Sequence, residues 1–120
     1  MGNLITKLIL SGSNLTSDSL SITTTDILAV TNPTIPIARI PIATGSAQSV
    51  IPSNAKFSYV YMKVVSGTSP TDSVKVTFGA ASIAKLRVGE FLFLPLYNAV
   101  AITAEAIGGA CVVEYGYWSV

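Results

Sequence analysis

The sequence predicts an all-β protein, a single-domain antiparallel β-sandwich of about eight short strands with a jelly-roll-like topology. Apolar residues alternate with polar ones at period two along the chain, which is typical of strands with one buried face. Clusters of turn-forming residues interrupt this alternation about every eight to twelve residues, and helix signals are nearly absent. Because strand order leaves no local trace, an immunoglobulin-like sandwich and a simple barrel are alternatives to the jelly roll.

The first two strands are predicted over residues 4–10 and 19–30, on either side of a short turn rich in Ser and Gly. They belong to a Ser/Thr- and Pro-rich part, residues 1–54, which differs in texture from a compact, strand-rich part at residues 55–120. The length of the chain suits one domain of ordinary size. We therefore expect residues 1–120 to form a single β-sandwich domain.

Residues 31–54 are predicted to hold an extended, proline-rich segment. Four prolines remove backbone hydrogen-bond donors, which excludes a central strand. The string Ile-Pro-Ile-Ala occurs twice, at 35–38 and 40–43. Alternating Ile and Pro suits an edge segment or an arm that lies in a hydrophobic groove of a neighbour, and an ordinary crossover within the domain is an equal alternative. The interface residues predicted from this segment are Ile35, Pro36, Ile37, Ile40, Pro41 and Ile42.

The second half of the chain predicts six further strands separated by turns. The strands at 57–65 and 74–78 flank a dense cluster of turn formers and are expected to form a hairpin. The strands at 99–107 and 111–120 flank Gly108-Gly109, a pair that suits the positive φ angles of a tight turn, and are expected to form a second hairpin. The six predicted strands are 57–65, 74–78, 83–88, 91–94, 99–107 and 111–120.

The last predicted strand carries large apolar groups on both of its faces. Cys111, Val113, Tyr115 and Tyr117 share one face, and Val112, Glu114, Gly116 and Trp118 share the other. A sheet with one wet face does not show this pattern, so the second face is expected to be covered by loops of the other sheet or by a neighbouring subunit. The aromatic residues predicted to lie in an interface are Tyr59, Tyr61 and Trp118.

The composition favours a protein that assembles with others. Charged residues make up 11% of the chain and hydrophobic residues 50%, whereas a typical soluble domain has about 25% charged residues. Surplus apolar side chains on a small domain form surface patches, which usually mark protein contacts. The chain has no basic run, so nucleic acid is not expected as a partner.

Membrane association and secretion are not expected either. The longest apolar run, residues 91–96, is far shorter than the ~18 residues of a spanning helix. The N-terminus lacks the charged start, long apolar stretch and small-residue cleavage site of a secretory signal. We therefore expect the protein to be made and folded in a cytoplasm, with no membrane partner.

The residue types needed for most catalytic chemistry are missing. The sequence has no histidine, which excludes triads with a histidine base and removes the main ligand of zinc sites. Cys111 lies in an alternating apolar segment and is expected to be a core thiol. The glycines lack the spacing of a phosphate-binding loop. We therefore expect no enzyme activity, no catalytic residues, no cofactor and no metal.

Carboxylates and aromatic side chains leave two minor alternatives. A glycan-cleaving enzyme could use Glu90, Glu105 or Glu114 as acid and base, and the last two flank the Gly108-Gly109 turn at positions that could face each other. The simpler expectation is that Glu105 and Glu114 point outward and meet Lys75 or Arg87. The tyrosines and Trp118 could form a stacking platform for sugars, although core and subunit interface are the more ordinary roles.

Four strings in the second half carry a resemblance to a known group of proteins: 57–63, 74–79, 86–95 and 110–117. They form an aromatic-rich strand, a Ser/Thr turn and a Gly-Glu-Phe step. In these features the chain resembles small all-β virion structural proteins of tailed bacteriophages. The resemblance implies a capsid decoration or cement protein, a tail component or a small fibre module, often acting as a trimer.

Together these observations predict a structural virion protein, most specifically a capsid decoration or cement protein that stabilises the particle. It is expected to form a homo-oligomer, a homotrimer in the first instance, and to contact the major capsid protein or other virion proteins. Its expected location is the virion, after synthesis in the host cytoplasm. The alternative is a tail or fibre module that binds a host-surface glycan.

Overall fold

The computed structural model describes residues 2–12, 20–30, 37–52, 59–96 and 100–119, and these residues form an all-β protein with antiparallel sheets. The predicted fold class is confirmed at this level. No helix in the described part of the chain is long and apolar enough to span a membrane. The ten strands are β1 Gly2–Gly12, β2 Leu20–Val30, β3 Ala38–Ile42, β4 Gln48–Ile51, β5 Tyr59–Gly67, β6 Ser73–Phe78, β7 Ala81–Arg87, β8 Phe91–Pro95, β9 Ile102–Ile107 and β10 Cys111–Trp118.

The chain divides into two compact units, residues 1–32 and residues 33–119. The single domain that the sequence predicts over residues 1–120 therefore stays a prediction.

The first unit is a long β-hairpin. β1 and β2 pair in antiparallel register from Gly2 opposite Val30 to Gly12 opposite Leu20, with no register shift over eleven residue pairs. The strands predicted at 4–10 and 19–30 match β1 and β2 closely, because alternation and the turn residues between them are local signals.

The second unit holds two four-stranded antiparallel sheets. Their strand orders are β3-β10-β5-β8 and β4-β9-β6-β7. The paired strands are nested in the sequence: β6 pairs with β7, β5 with β8, β4 with β9 and β3 with β10. The segment from β3 to β10 is therefore paired like one long hairpin whose tip is the β6–β7 turn, where Gly79 has a φ of 62°.

Both sheets contribute to one hydrophobic core. In β5, the fully buried Val60, Met62 and Val64 alternate with partly exposed residues, as the period-two pattern predicts. The other sheet supplies Val74 and Val76 from β6. The remaining buried members are Ile42, Val50, Ile51, Leu86, Ile102, Ala104, Ala106, Cys111 and Val113. The expectation that Cys111 is a buried core thiol is confirmed.

The two hairpins predicted in the second half are wrong. β5 and β6 lie in different sheets, and so do β9 and β10. The Gly108-Gly109 segment therefore connects one sheet to the other, although Gly108 has the positive φ, 93°, that a tight turn was expected to need. The same glycine chemistry serves a hairpin and a connection between sheets, so the local pattern did not distinguish them.

The proline-rich segment contains two strands, β3 and β4, that were not predicted as separate elements. β3 and β4 are edge strands of the two sheets. Pro41 lies within β3, where an edge position leaves one side of the strand without a ladder and tolerates the missing N–H. The described residues of the segment 31–54 include two extended edge strands, which agrees with one of the predicted alternatives. Residues 31–36 and 53–54 lie outside the described residues.

Candidate functional site

The outward side of the β3-β10-β5-β8 sheet carries a cluster of aromatic side chains. In β5 the inward residues are buried in the core, so the alternating residues between them point outward. The register brings outward residues of β10 and β8 beside them. We call this surface the aromatic face and define it by Tyr59, Tyr61, Phe91, Phe93 and Trp118.

The strand register places these rings close together. Tyr59 lies opposite Trp118 on one side, and Tyr61 lies opposite Phe93 on the other. The rings of Tyr59 and Phe93 are stacked, with centroids 6.0 Å apart and planes at 10°. Phe91 is 60% exposed. Aromatic rings that remain exposed on a sheet are typical of a surface that another molecule covers.

The carboxylate of Glu114, on the inner strand β10, lies among these rings. Tyr61 donates a hydrogen bond from its hydroxyl to Oε1 of Glu114 at 2.9 Å. Arg39 donates from Nε to Oε2 of the same carboxylate at 3.1 Å. Lys63 occupies the position opposite Glu114 on β5. Both oxygens of the carboxylate therefore have partners, and the guanidinium side chain remains 64% exposed.

These contacts shift two pKa values in opposite directions. Burial, together with the hydrogen bond to Glu114, raises the pKa of Tyr61 to about 12. The hydrogen bonds from Tyr61 and Arg39 lower the pKa of the Glu114 carboxyl below its ordinary value. At neutral pH the pair is therefore a neutral phenol that donates to an ionised carboxylate, which suits structural positioning rather than proton transfer.

Ile37 extends the aromatic face because Gly116 leaves room for it. A Cβ built at Gly116 would overlap the Cδ1 atom of Ile37 and lie 3.2 Å from the Trp118 ring. Gly116 is itself buried. The missing side chain therefore allows Ile37 and Trp118 to lie over the middle of β10.

The predicted interface residues fall into three groups. Ile35 and Pro36 lie outside the described residues. Ile40 packs against the core and Ile42 is fully buried in it, so Ile42 offers no surface to a second chain. The partly or largely exposed members on the outer side of this sheet are Ile37, Pro41, Tyr59, Tyr61 and Trp118.

Sequence reasoning missed Phe91, Phe93 and Arg39 as members of this surface. The alternation of Phe91, Phe93 and Pro95 along β8 was the signal that could have found the two phenylalanines. Their neighbours on the face come from β5, which is distant in sequence. Arg39 belongs to β3, a strand that was not predicted because the segment is rich in proline.

The outer side of the β4-β9-β6-β7 sheet is different in character. Lys75 faces Glu105 on β9 and Lys85 on β7 in the register. A cavity of about 360 Å³ lies beside them, lined by Lys75, Ser82, Ile83, Ala84, Lys85 and Ile107. This side is thus charged and mixed, in contrast to the aromatic face.

The carboxylates do not form the pair that the glycosidase alternative needs. Glu105 and Glu114 lie in different sheets, so the prediction that they could face each other is wrong. Glu114 meets Arg39, not the expected Lys75 or Arg87, whereas Glu105 does lie opposite Lys75. Oε1 of Glu90 accepts a hydrogen bond from the backbone N–H of Arg87 at 2.6 Å. Within the described part of the chain, no group of three or more potential metal ligands comes together.

The β1–β2 hairpin presents a second apolar surface, with two sides. Residues directly opposite each other in an antiparallel pair point to the same side. One side, the leucine face, consists of Leu4, Leu8, Leu10, Ile22, Leu28 and Val30, of which Val30 is buried and Leu4 and Leu28 are half-buried. The other side, the isoleucine face, consists of Ile5, Ile9, Ile27 and Ala29. Ile5 is 66% exposed and Ile27 is 62% exposed.

Comparison with known proteins adds no assignment: no family model, no curated protein and no solved structure matches this chain.

Proposed function

We propose that this chain is a structural virion protein of a tailed bacteriophage, a capsid decoration or cement protein that acts as a homo-oligomer. The observation that carries this proposal is the aromatic face. Phe91 at 60% exposure, the stacked Tyr59 and Phe93, and Trp118 cover one side of a four-stranded sheet. Large rings of this kind, with an arginine beside them, are the side chains that dominate protein–protein contacts.

The shape of this surface favours a protein partner over a small ligand. It is the outer side of a sheet, and small-molecule sites are concave. Arg39 can add bonds to a partner, because its guanidinium is largely exposed while Nε alone is used by Glu114. A cement protein needs this kind of surface, since it bridges neighbouring capsid subunits by burying apolar area.

The second unit is, in this proposal, a jelly-roll β-sandwich. The nested pairing of β3 with β10, β4 with β9, β5 with β8 and β6 with β7 supports it, because a jelly roll is a long antiparallel hairpin rolled into two sheets. The core built from both sheets also supports it. Jelly rolls are common in viral capsid proteins, although a fold of this kind hosts many functions.

The proposal is tested by adding the purified chain to particles from a virus in which its gene is disrupted. Wild-type protein is expected to bind saturably and to raise the temperature at which the particles release their DNA. Phe91→Ser is expected to weaken binding about tenfold or more, since burying a phenylalanine side chain contributes about 1.5–3 kcal/mol. Ile83→Ser is the matched control, because Ile83 is also an exposed apolar residue, at 45%, but lies on the other sheet. Absence of saturable binding by the wild type would overturn the proposal.

A tail or fibre module that binds a host-surface glycan is the second candidate. The exposed Phe91 ring favours it, because sugar rings pack on aromatic faces and their hydroxyls bond to charged groups, and the register places Lys63, Glu114 and Arg39 in line with Phe91 across the same sheet. Purified host polysaccharide is the probe. Binding that Phe91→Ser abolishes and Ile83→Ser preserves, without binding to particles, would replace the first proposal by this one.

A further inference from the structure

We propose that the outer side of the β4-β9-β6-β7 sheet holds a binding site for a small organic anion, a carboxylate carried on a short apolar body. The site is the cavity of about 360 Å³ that Lys75 and Lys85 line, called the lysine cavity below. It lies on a different sheet from the aromatic face. The proposal therefore goes beyond the proposed function and does not depend on it.

Two lysine side chains lie directly opposite each other at this cavity. Lys75 is on β6 and Lys85 is on the adjacent strand β7, and the register pairs the two residues. Lys75 is partly exposed and Lys85 is exposed. Like charges directly opposite each other in an antiparallel pair destabilise the sheet. An anion bound between the two ammonium groups would offset this repulsion.

The rest of the described chain does not neutralise both lysines. Glu105 on β9 lies opposite Lys75, on the side away from Lys85, and two strand spacings separate it from Lys85 by about 10 Å. Among the described residues, neither lysine forms a salt bridge. Two positive charges and one negative charge leave a net charge of +1 at the site. A carboxylate matches this charge, whereas the second charge of a phosphate monoester would lie near Glu105 without a partner.

A β-bulge in the edge strand β7 shapes the cavity. Ala84 and Ser82 lie opposite consecutive residues of β6, so the residue between them, Ile83, has no partner. The Ser82 hydroxyl oxygen lies 3.3 Å from that of Thr77, which places Ser82 on the outer side of the sheet. Bulges redirect side chains in this way and are frequent next to functional sites. The bulge therefore brings Ser82 and Ile83 to the cavity together, although neighbouring residues of a regular strand point to opposite sides.

The apolar lining of the cavity comes from the strands on either side of β6. Ile83 on β7 is 45% exposed and Ile107 on β9 is 43% exposed. Both line the cavity, together with Ala84. Small-molecule sites combine apolar walls with a few charged groups and have volumes of about 300–1,000 Å³. A ligand that satisfies both parts of this lining has a carboxylate at the lysines and a short aliphatic chain against the isoleucines.

The first test is a titration of the full chain with hexanoate, followed by nitrogen–proton correlation NMR spectra. Saturable changes are expected at the amides that line the cavity. Acetate has the charge without the body and hexanol has the body without the charge, so each is expected to bind about tenfold or more weakly than hexanoate. Changes spread over both sheets, or equal binding of hexanol and hexanoate, would overturn the proposal. Tighter binding of hexyl phosphate would overturn the assignment of a carboxylate.

The second test removes the charges one at a time. Lys75→Gln and Lys85→Gln are each expected to weaken hexanoate binding about tenfold, because one charge-assisted hydrogen bond is lost. Lys7→Gln is the matched control, since Lys7 is an exposed lysine of the β1–β2 hairpin. It is expected to bind hexanoate like the wild type. Unchanged binding in both cavity variants, or equal weakening in Lys7→Gln, would overturn the proposal.

The stability of the ligand-free chain distinguishes a binding role of Lys85 from a structural one. Because the two lysines repel each other, Lys85→Gln is expected to unfold at a slightly higher urea concentration than the wild type. Hexanoate is expected to raise the urea midpoint of the wild type more than that of Lys85→Gln. A lower midpoint for ligand-free Lys85→Gln would show that Lys85 stabilises the sheet and would overturn the proposal. Failure of the proposed function is distinguishable, because a chain that does not bind virus particles would still bind hexanoate.

Discussion

Tyr61 and Arg39 hold opposite oxygens of one carboxylate, that of Glu114, and the Tyr61 hydroxyl lies 2.9 Å from Oε1. The three residues come from three adjacent strands, β5, β10 and β3. The triad therefore fixes the polar centre of a surface whose other members are aromatic. It also joins the edge strand β3 to the middle of the sheet by side-chain contacts.

The Tyr61 phenol should titrate at unusually high pH. Its pKa is raised to about 12 from 10.0, so the neutral form is favoured in the folded chain. The stability that this group contributes is present below pH 10 and is lost as the pH rises towards about 12. An ultraviolet titration of phenolate absorbance is expected to show a late step that Tyr61→Phe removes. Glu114→Gln should move the step to lower pH, because the carboxylate contributes after burial. Identical curves for the wild type and Tyr61→Phe would contradict this assignment.

A second pH effect should arise from Asp72, which is buried at the connection between β5 and β6. Thr68 donates from its hydroxyl to Oδ2 at 2.6 Å, and the backbone N–H of Ser69 donates to the same oxygen at 2.8 Å. The hydrogen bond from Thr68, more than any other contact, holds the pKa of Asp72 below its ordinary value.

A lowered carboxyl pKa contributes stability that is present above the ordinary pKa of aspartate and is lost as the pH falls through the folded-state pKa. Urea unfolding is therefore expected to show a loss of stability below pH about 4 that is smaller in Asp72→Asn. The loss of stability at acid pH in Thr68→Val should lie between the losses in the wild type and in Asp72→Asn, since one of the two donors to Asp72 is removed. If the stability of Asp72→Asn falls with pH as steeply as that of the wild type, Asp72 does not contribute to the acid dependence.

The Gly108 position should not tolerate a side chain, for two separable reasons. Its φ is 93°, and a Cβ there would lie 2.8 Å from Oδ1 of Asp72. Gly45 has nearly the same φ, 95°, with no atom within 4 Å of a built Cβ. Gly45→Ala is therefore the control for backbone strain alone and should cost about 1 kcal/mol. Gly108→Ala should cost about 1–3 kcal/mol more in the free energy of unfolding. Equal losses would mean that Asp72 moves aside freely.

The core that joins the two sheets should depend strongly on β9. Ile102 is fully buried, whereas Ile107 at the other end of the same strand is 43% exposed. Ile102→Ala should lower the free energy of unfolding by about 2–5 kcal/mol, since it leaves a cavity. Ile107→Ala should lower it by less than about 1 kcal/mol. Similar losses at the two positions, measured by urea unfolding, would be inconsistent with the packing of β9.

The faces of individual strands were predictable from the sequence, but their partners were not. Alternation in 57–65 assigned Val60, Met62 and Val64 to one side, and the structure buries all three. The same alternation contains no information about which strand pairs with which. For that reason β9 and β10 were expected to form a hairpin, although β10 pairs with β3 and β5.

The residues of the aromatic face could be predicted only in part, because the sequence shows which side of a strand a residue lies on but not which strands pair. Trp118 was predicted to lie in an interface because its strand carries large apolar groups on both faces, and Tyr59 and Tyr61 because they share the side of their strand that faces away from the buried valines. Phe93 was not, since its membership depends on the pairing of β8 with β5. Ile42 was selected from an Ile-Pro echo, but its position in the alternation of β3 buries it, while Pro41 points outward. Composition predicted a protein that assembles with others, whereas the residues that form the aromatic face could be identified only from the register of the strands.

The claim that this chain is a structural component of a virion is tested most directly by quantitative mass spectrometry of density-purified virus particles from the lysate that contains it. The expected result is a fixed copy number per particle, in constant ratio to the major capsid protein and unchanged by a salt wash. Recovery of the chain only among unassembled soluble proteins, with none in the particles, would contradict the claim.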